Sequence, residues 1–237
     1  MKINIYPYNP EMLDAIDLIN SYIEQYDQCN NYIDLFLGNG IVFNNLTKSF
    51  NKYILNDYKN STINFYKLLK TQLPEYVINE CEYYWKEFDI NDLTQILLKE
   101  KNNYKKCIEY YVLENKVSNK EIKLDYFPSK ELEYVSFKLK KNDILFSIDK
   151  VSDVYSKATI NDLLFINLDN VYEKLHRKII QWSTYVSCAV NVIYSSIGSN
   201  YLSICKNCQV AERINETGFL FIFDNELSKE WYNDNFN

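Results

Sequence analysis

Residues 11–28, EMLDAIDLINSYIEQYDQ, place Met12, Ile16, Ile19, Ile23 and Tyr26 three or four residues apart, a period that predicts an amphipathic helix. The next run, NYIDLFLGNG (31–40), is apolar enough for a buried strand and ends in a Gly-x-Gly turn. IVFNNLTKSF (41–50) suits a following helix, and KYILND (52–57) is a second short apolar strand ending at Asn56-Asp57. STINFYKLLKTQL (61–73) begins with a serine suited to capping and continues as a helix with Ile63, Tyr66, Leu68 and Leu69 apolar. Strand, glycine turn, helix, strand with a terminal acid, helix is the opening of a doubly wound α/β sheet.

Beyond residue 73 the rhythm changes. Residues 74–115 carry helical patterning with no strand signal, and 121–142 give mixed signals around Pro128 before the basic run KLKKN. The α/β rhythm returns with DILFSID (143–149), SDVYSK (152–157) and DLLFINLD (162–169), then a helix near EKLHRKIIQW. YVSCAVNVIYSSIGSNYLSI, from Tyr185, is interrupted by Ser, Asn and Gly, so it reads as core or strand and not as a membrane span. GFLFIF (218–223) is the last strand candidate, with DNELSKEWY as a short helix start. The expected organisation is an α/β domain built from residues 1–70 and 142–237, with a mainly helical insertion at 71–141.

Composition narrows the class. The 237 residues are 47% hydrophobic and 24% charged, which suits a globular chain with a sizeable core, and aromatics reach 16% with 22 tyrosines. A net charge of −6 argues against a general polyphosphate binder but leaves room for a local basic face. The richness in Asn, Lys, Ile and Tyr points to A+T-rich coding, as in low-G+C bacteria, their phages or large viruses. MKINIYPYNPEM has no apolar core of a secretory signal, so an intracellular, soluble protein is expected.

The six cysteines are scattered, which favours free thiols in such a compartment. Cys205 and Cys208 have metal-ligand spacing, but a structural zinc needs four ligands and the sequence has one histidine, His176, so no metal site is expected. His176 is expected at a surface or a helix cap.

The chain has four glycines, and two of them, Gly38 and Gly40, share the turn after the first strand. Glycine there lets backbone approach a nucleotide-like ligand closely, although the same pair also fits a tight strand-to-helix turn. Asp57, 17 residues beyond Gly40, stands where an acid accepts hydrogen bonds from ribose hydroxyls.

YIDLFLGNGIVFNNL followed by KYILNDYKNSTINFYKLLK resembles the opening of the D12 class of DNA adenine-N6 methyltransferases, in motif and in spacing, from Tyr32 to Lys70. ILFSIDKVSDVYSKATINDLLFINLDNVY and GFLFIFDNELSKEWY resemble later segments of that class. The resemblance implies a Rossmann-like fold that binds S-adenosylmethionine, with Asp34, Phe36, Gly38 and Gly40 forming the cofactor pocket, Asp57 on the ribose and Asp149 at the cofactor's adenine. It places the helical insertion where the class carries its target-recognition region, and it implies double-stranded DNA as partner.

The class's catalytic Asp-Pro-Pro-Tyr aligns with Asp169-Asn170-Val171-Tyr172, so Asp169, the residue at Asn170 and Tyr172 are the candidate catalytic positions. The Asp and a backbone carbonyl would accept from the N6 amine, and Tyr172 would stack on a flipped base. Both prolines are gone, which is expected to loosen the loop and to make methyl transfer absent or slow. YPYNPEM stands where the class carries Gly-Gly-Lys or Gly-Ser-Lys, and the chain stops short of the class's usual last elements. Read without the resemblance, Asp169 is a strand-end acid and Tyr172 a core aromatic. The alternative to an enzyme is therefore an inactive relative that acts as an inhibitor, decoy or partner subunit for another protein. Basic residues for a DNA backbone cluster in KEKNNYKKC and KLKK, with Lys105, Lys106, Lys140 and Lys141 the candidates.

Overall fold

The computed structural model describes residues 2–6, 10–117, 127–183, 190–205, 208 and 210–224. In chain order the elements are α1 (Pro10–Glu24), β1 (Asn31–Asp34), α2 (Ile41–Asn45), β2 (Lys52–Asn56), α3 (Asn60–Thr71), α4 (Pro74–Glu87), α5 (Ile90–Lys99), α6 (Asn103–Val117), α7 (Ser129–Lys141), β3 (Ile144–Ser147), α8 (Val151–Lys157), β4 (Asp162–Asn167), α9 (Glu173–Ser183), β5 (Val190–Ser195), β6 (Val210–Arg213) and β7 (Phe219–Asp224). Single 3₁₀ turns lie at Leu168–Asn170 and Gly198–Tyr201.

The strands form one seven-stranded sheet in the order β3-β2-β1-β4-β5-β7-β6. β1 to β5 are mutually parallel, while β7 runs antiparallel to β5 and to β6. Strands this apolar need cover on both faces, and the two-residue alternation supplies it. Tyr32, Leu163, Phe165 and Val192 point into one core, shared with α1, α3 and the helices of residues 74–141. Ile33, Leu164, Ile166 and Ile193 point into the other, against α8 and α9. The direction of sheet growth reverses between β1 and β4, so a Rossmann-like crevice opens beyond the carboxyl ends of these two strands.

Residues 74–117 and 129–141 are helical. Their attachment to the sheet layer runs through α3: Phe65 stacks flat on Tyr111 of α6 with ring centroids 4.0 Å apart, and the Tyr111 hydroxyl donates to the Ile5 carbonyl at 2.7 Å. On the other flank Ser136 of α7 donates to the Leu69 carbonyl.

Several expectations change. The first helix ends at Glu24, and α2 covers only 41–45 of the ten residues expected. Ser61 does not cap α3. The helix begins one residue earlier, and the adjoining Lys59 N–H is met by Asp57 Oδ1 at 2.7 Å. β6 (VAER) escaped notice because a four-residue edge strand with two charges carries no apolar period. The helix expected at DNELSKEWY lies outside the described residues beyond Asp224, and so does the segment 184–189.

Candidate functional site

The Gly-x-Gly turn follows directly from β1, and both glycines adopt positive φ, 51° at Gly38 and 63° at Gly40. L-residues with a Cβ rarely sit there, which accounts for the choice of residue. What lies above each glycine differs. A Cβ on Gly40 would fall 2.0 Å from the Tyr66 hydroxyl, which reaches over from α3 and donates to the Asn39 carbonyl at 3.0 Å. Gly40 is therefore required by the packing of α3. A Cβ on Gly38 would fall 2.2 Å from the side-chain nitrogen of Asn170, which donates to the Phe36 carbonyl at 2.9 Å. The loop after β4 is thus seated on the turn after β1, across the point where the strand order reverses.

Asp57 is buried at the end of β2. Its Oδ2 accepts the Gly38 N–H at 2.6 Å while Oδ1 accepts from Lys59, so the carboxylate ties the glycine turn to the start of α3. Burial pushes its carboxyl above the ordinary value, and the two backbone N–H groups oppose that rise. Asp34 is also buried. Burial raises its carboxyl to about 8, partly offset by the Tyr32 hydroxyl 3.2 Å away. Asp34 is therefore mostly a neutral carboxylic acid at pH 7.

Asn56, which the sequence marked only as a strand end, joins three strands at this edge. Its amide donates to the Leu35 carbonyl at 3.0 Å, and its Oδ1 accepts from Asp149 N–H at 3.0 Å. Asp149 itself is exposed beyond β3. Its carboxyl is held below the ordinary range by the Lys157 ammonium at 3.0 Å.

On the β4 side, Asp169 is exposed and its Oδ1 accepts from Ser196 N–H at 3.0 Å. Tyr172 is 68% exposed, so it is not a core aromatic. Its ring lies 6.4 Å from that of Tyr58, the residue after Asp57, which is also exposed. Asn170 and Val171 are not loose. Asp169 N–H donates to Asn167 Oδ1, Val171 N–H donates to the Leu168 carbonyl, and the Val171 carbonyl is met by His176 Nε2 at 2.9 Å. The loop expected to be slack without prolines is held by side chains instead. His176 accordingly sits inside the protein, 3% exposed, and not at a surface or cap.

A cavity of about 550 Å3 opens beside the two loops, a size suited to a nucleotide-like ligand. Gly38, Asn39 and Asn170 form its strand-side wall, and Thr94, Tyr110 and Glu114 of α5 and α6 form the opposite one. Lys59 bridges the two walls by an ion pair with Glu114 at 3.4 Å. Of the cofactor candidates read from the sequence, Gly38 borders this cavity, whereas Asp34, Phe36, Gly40, Asp57 and Asp149 do not.

The basic candidates fall into two places. Lys106 borders a smaller hollow with Asn60, at the start of α3, and shares Tyr110 with the main cavity. Lys140 donates to the Gln72 carbonyl at the far end of α3, about 16 Å away at 1.5 Å per residue. Lys138, the first residue of KLKK, is withdrawn from solvent. It donates to the Phe43, Asn44 and Leu46 carbonyls and closes the C-terminal end of α2, and burial lowers its ammonium to about 8. Among the described residues no group of three His, Cys, Asp or Glu side chains would hold a metal ion, and no helix is long and apolar enough to cross a membrane.

Among solved structures the chain is similar to "Putative methyltransferase yhhF from Escherichia coli", with a TM-score of 0.44 and 8% identity over 88% of this chain and 84% of that one. It is also similar to the 16S rRNA methylase ArmA, with a TM-score of 0.42 and 11% identity over 91% and 86%. At these scores the assignment rests on neither. No curated protein matches the sequence. The family model of the D12 class N6 adenine-specific DNA methyltransferases matches residues 13–146, which takes in β1, the glycine turn, β2 and the whole helical segment. By that match, the chain belongs to the D12 class N6 adenine-specific DNA methyltransferase family.

Proposed function

We propose that this chain binds S-adenosylmethionine where β1 and β4 end, and transfers its methyl group, slowly, to N6 of an adenine in double-stranded DNA. The observation that carries the reading is the cavity at the sheet's switch point, bounded by a glycine turn and by the loop that presents Asp169 and Tyr172.

The residues fit the cofactor in part. Gly38 offers bare backbone at the cavity wall once the Asn170 amide turns aside. Asp57, whose oxygens each already accept one backbone N–H, is buried and does not border the cavity, so it would meet a ribose hydroxyl only with a shift of the glycine turn. The bound cofactor would supply the electrophilic methyl group. On this reading the chain's own work is positioning. The Asp169 carboxylate accepts from the adenine amine, which draws electron density toward N6, and the exposed Tyr172 ring receives the unstacked base, with Tyr58 beside it. Residues 71–141 would read the target, with Lys106, which borders the smaller hollow beside the start of α3, and its neighbour Lys105 on the phosphate backbone. Lys140 is engaged at the Gln72 carbonyl, at the other end of α3, with Lys141 next to it on α7, so this reading assigns that pair no phosphate.

A second reading is favoured by two contacts. Asn170 occupies the space over Gly38, and Asp169 already has a backbone partner in Ser196. Both suit an inactive family member that serves as a binding protein. Incubation with radiolabelled methyl donor and adenine-containing duplex separates the two. Slow incorporation at adenine, abolished in Asp169→Ala, supports the enzyme; none, with donor bound, supports the binding protein.

A further inference from the structure

The reading above treats the loop after β4 as the carrier of the reacting groups, and the present inference rests on it by asking what fixes that loop. Val171 lies between the two candidate catalytic residues Asn170 and Tyr172. Its carbonyl is 2.9 Å from His176 Nε2, one helical turn into α9. A carbonyl can only accept, so Nε2 carries the proton. A neutral imidazole has one such proton, and Nδ1 must then accept. Its neighbour at 2.8 Å is the hydroxyl of Tyr201, which therefore donates. Tyr201 belongs to the 3₁₀ turn after β5, so the pair joins the β4 loop to the β5 loop. Both side chains are buried. Asp169 makes the same crossing through Ser196.

We infer that His176, oriented by Tyr201, is the positioning residue that holds the Asp169–Tyr172 loop, in the role that two prolines fill elsewhere in the family. Proline fixes backbone by its ring; here a hydrogen-bonded imidazole fixes the Val171 carbonyl, the second of the two peptide carbonyls between the Asn170 and Tyr172 side chains. A purely space-filling histidine would not need its tautomer set from both sides.

The chain has a single histidine, so long-range proton–nitrogen correlation of the 15N-labelled full chain at pH 7.5 reads this group directly. The expected result is a ring whose proton sits on Nε2 and whose Nδ1 accepts, with Tyr201→Phe shifting the Nδ1 resonance. In the same samples, amide exchange at Val171 is expected to quicken at least tenfold in His176→Leu while β4 keeps its protection. His176→Gln, which retains a donor, should restore most of it. If His176→Leu does not fold, Tyr201→Phe removes only a hydroxyl and is read the same way. A ring protonated at Nδ1, or loop exchange unchanged by removal of the donor, overturns the inference. Neither measurement uses cofactor or DNA, so a failure here is distinct from a failure of the proposed function.

Discussion

The side-chain amide of Asn170 lies on Gly38 so closely that a β-carbon there would meet its nitrogen at 2.2 Å. The same amide donates to the Phe36 carbonyl, 134 residues away in sequence, and so joins the turn after β1 to the loop after β4. Gly38→Ala should be destabilising on two counts, left-handed backbone and collision, by roughly 1–3 kcal/mol for the backbone alone. Urea unfolding of Gly38→Ala and of Gly38→Ala with Asn170→Gly divides the two. The double variant should recover the collision part and keep the backbone part. A neutral Gly38→Ala would contradict this geometry.

Asp34 gives a pH dependence with a definite sign. Its carboxyl is held at about 8 in the folded state against an ordinary 3.8, so the folded chain keeps a proton that the unfolded chain has released. The contribution is fully present below the ordinary value and is lost as pH rises toward about 8, with a slope of up to about 1.4 kcal/mol per pH unit. Buried Asp57, also raised, acts in the same direction. Asp34→Asn mimics the neutral acid, so its stability should fall less than that of the native chain between pH 5 and 7.5. Equal falls in urea unfolding would argue that Asp34 is ionised in the fold.

The first half of the site was legible in the sequence because its signals are local. Gly38, Gly40 and Asp57 stand within 20 residues, and positive φ and a strand-end acid leave marks in residue type. What each glycine faces was not legible. Tyr66 covers Gly40 and Asn170 covers Gly38, and no spacing rule reports a partner that only the sheet brings near. The β4 loop shows the same limit. Loss of two prolines reads locally as slackness, whereas the clamps come from Asn167, His176 and Phe36, set by three different elements. Lys138 is the reverse case. In sequence it belongs to a basic run, but the helix period turns it inward while Lys140 and Lys141 stay outside.

Lys138 therefore matters for stability and not for charge at the surface. The Phe43 carbonyl also accepts the Leu46 N–H, but Lys138→Met removes the donor to the Asn44 and Leu46 carbonyls, and an unmet buried carbonyl costs about 1–3 kcal/mol. Lys141→Met should change stability by less than about 0.5 kcal/mol, as exposed positions do. Thermal or urea unfolding of the two variants should separate them clearly. Similar values would remove the capping role.

If DNA follows the α6 end of α3, charge removal should act unequally. Lys105→Ala with Lys106→Ala should flatten the slope of log affinity against log salt by about 1.8, from about 0.9 per phosphate contact. Lys140→Ala with Lys141→Ala should leave that slope unchanged. Fluorescence anisotropy with a short duplex across a salt series measures both, and the reverse ranking would move the interface to α7.

The central claim is that the cavity beside Gly38 is the cofactor site, and calorimetric titration with S-adenosylhomocysteine tests it most directly. Thr94 lines that cavity from α5, is exposed, and lies away from the strand ends. Thr94→Trp should therefore fill the space without disturbing the sheet. The account predicts one site per chain in the native protein, and at least tenfold weaker binding in a folded Thr94→Trp. No heat from the native protein at millimolar ligand, or equal affinity in the filled variant, would contradict it.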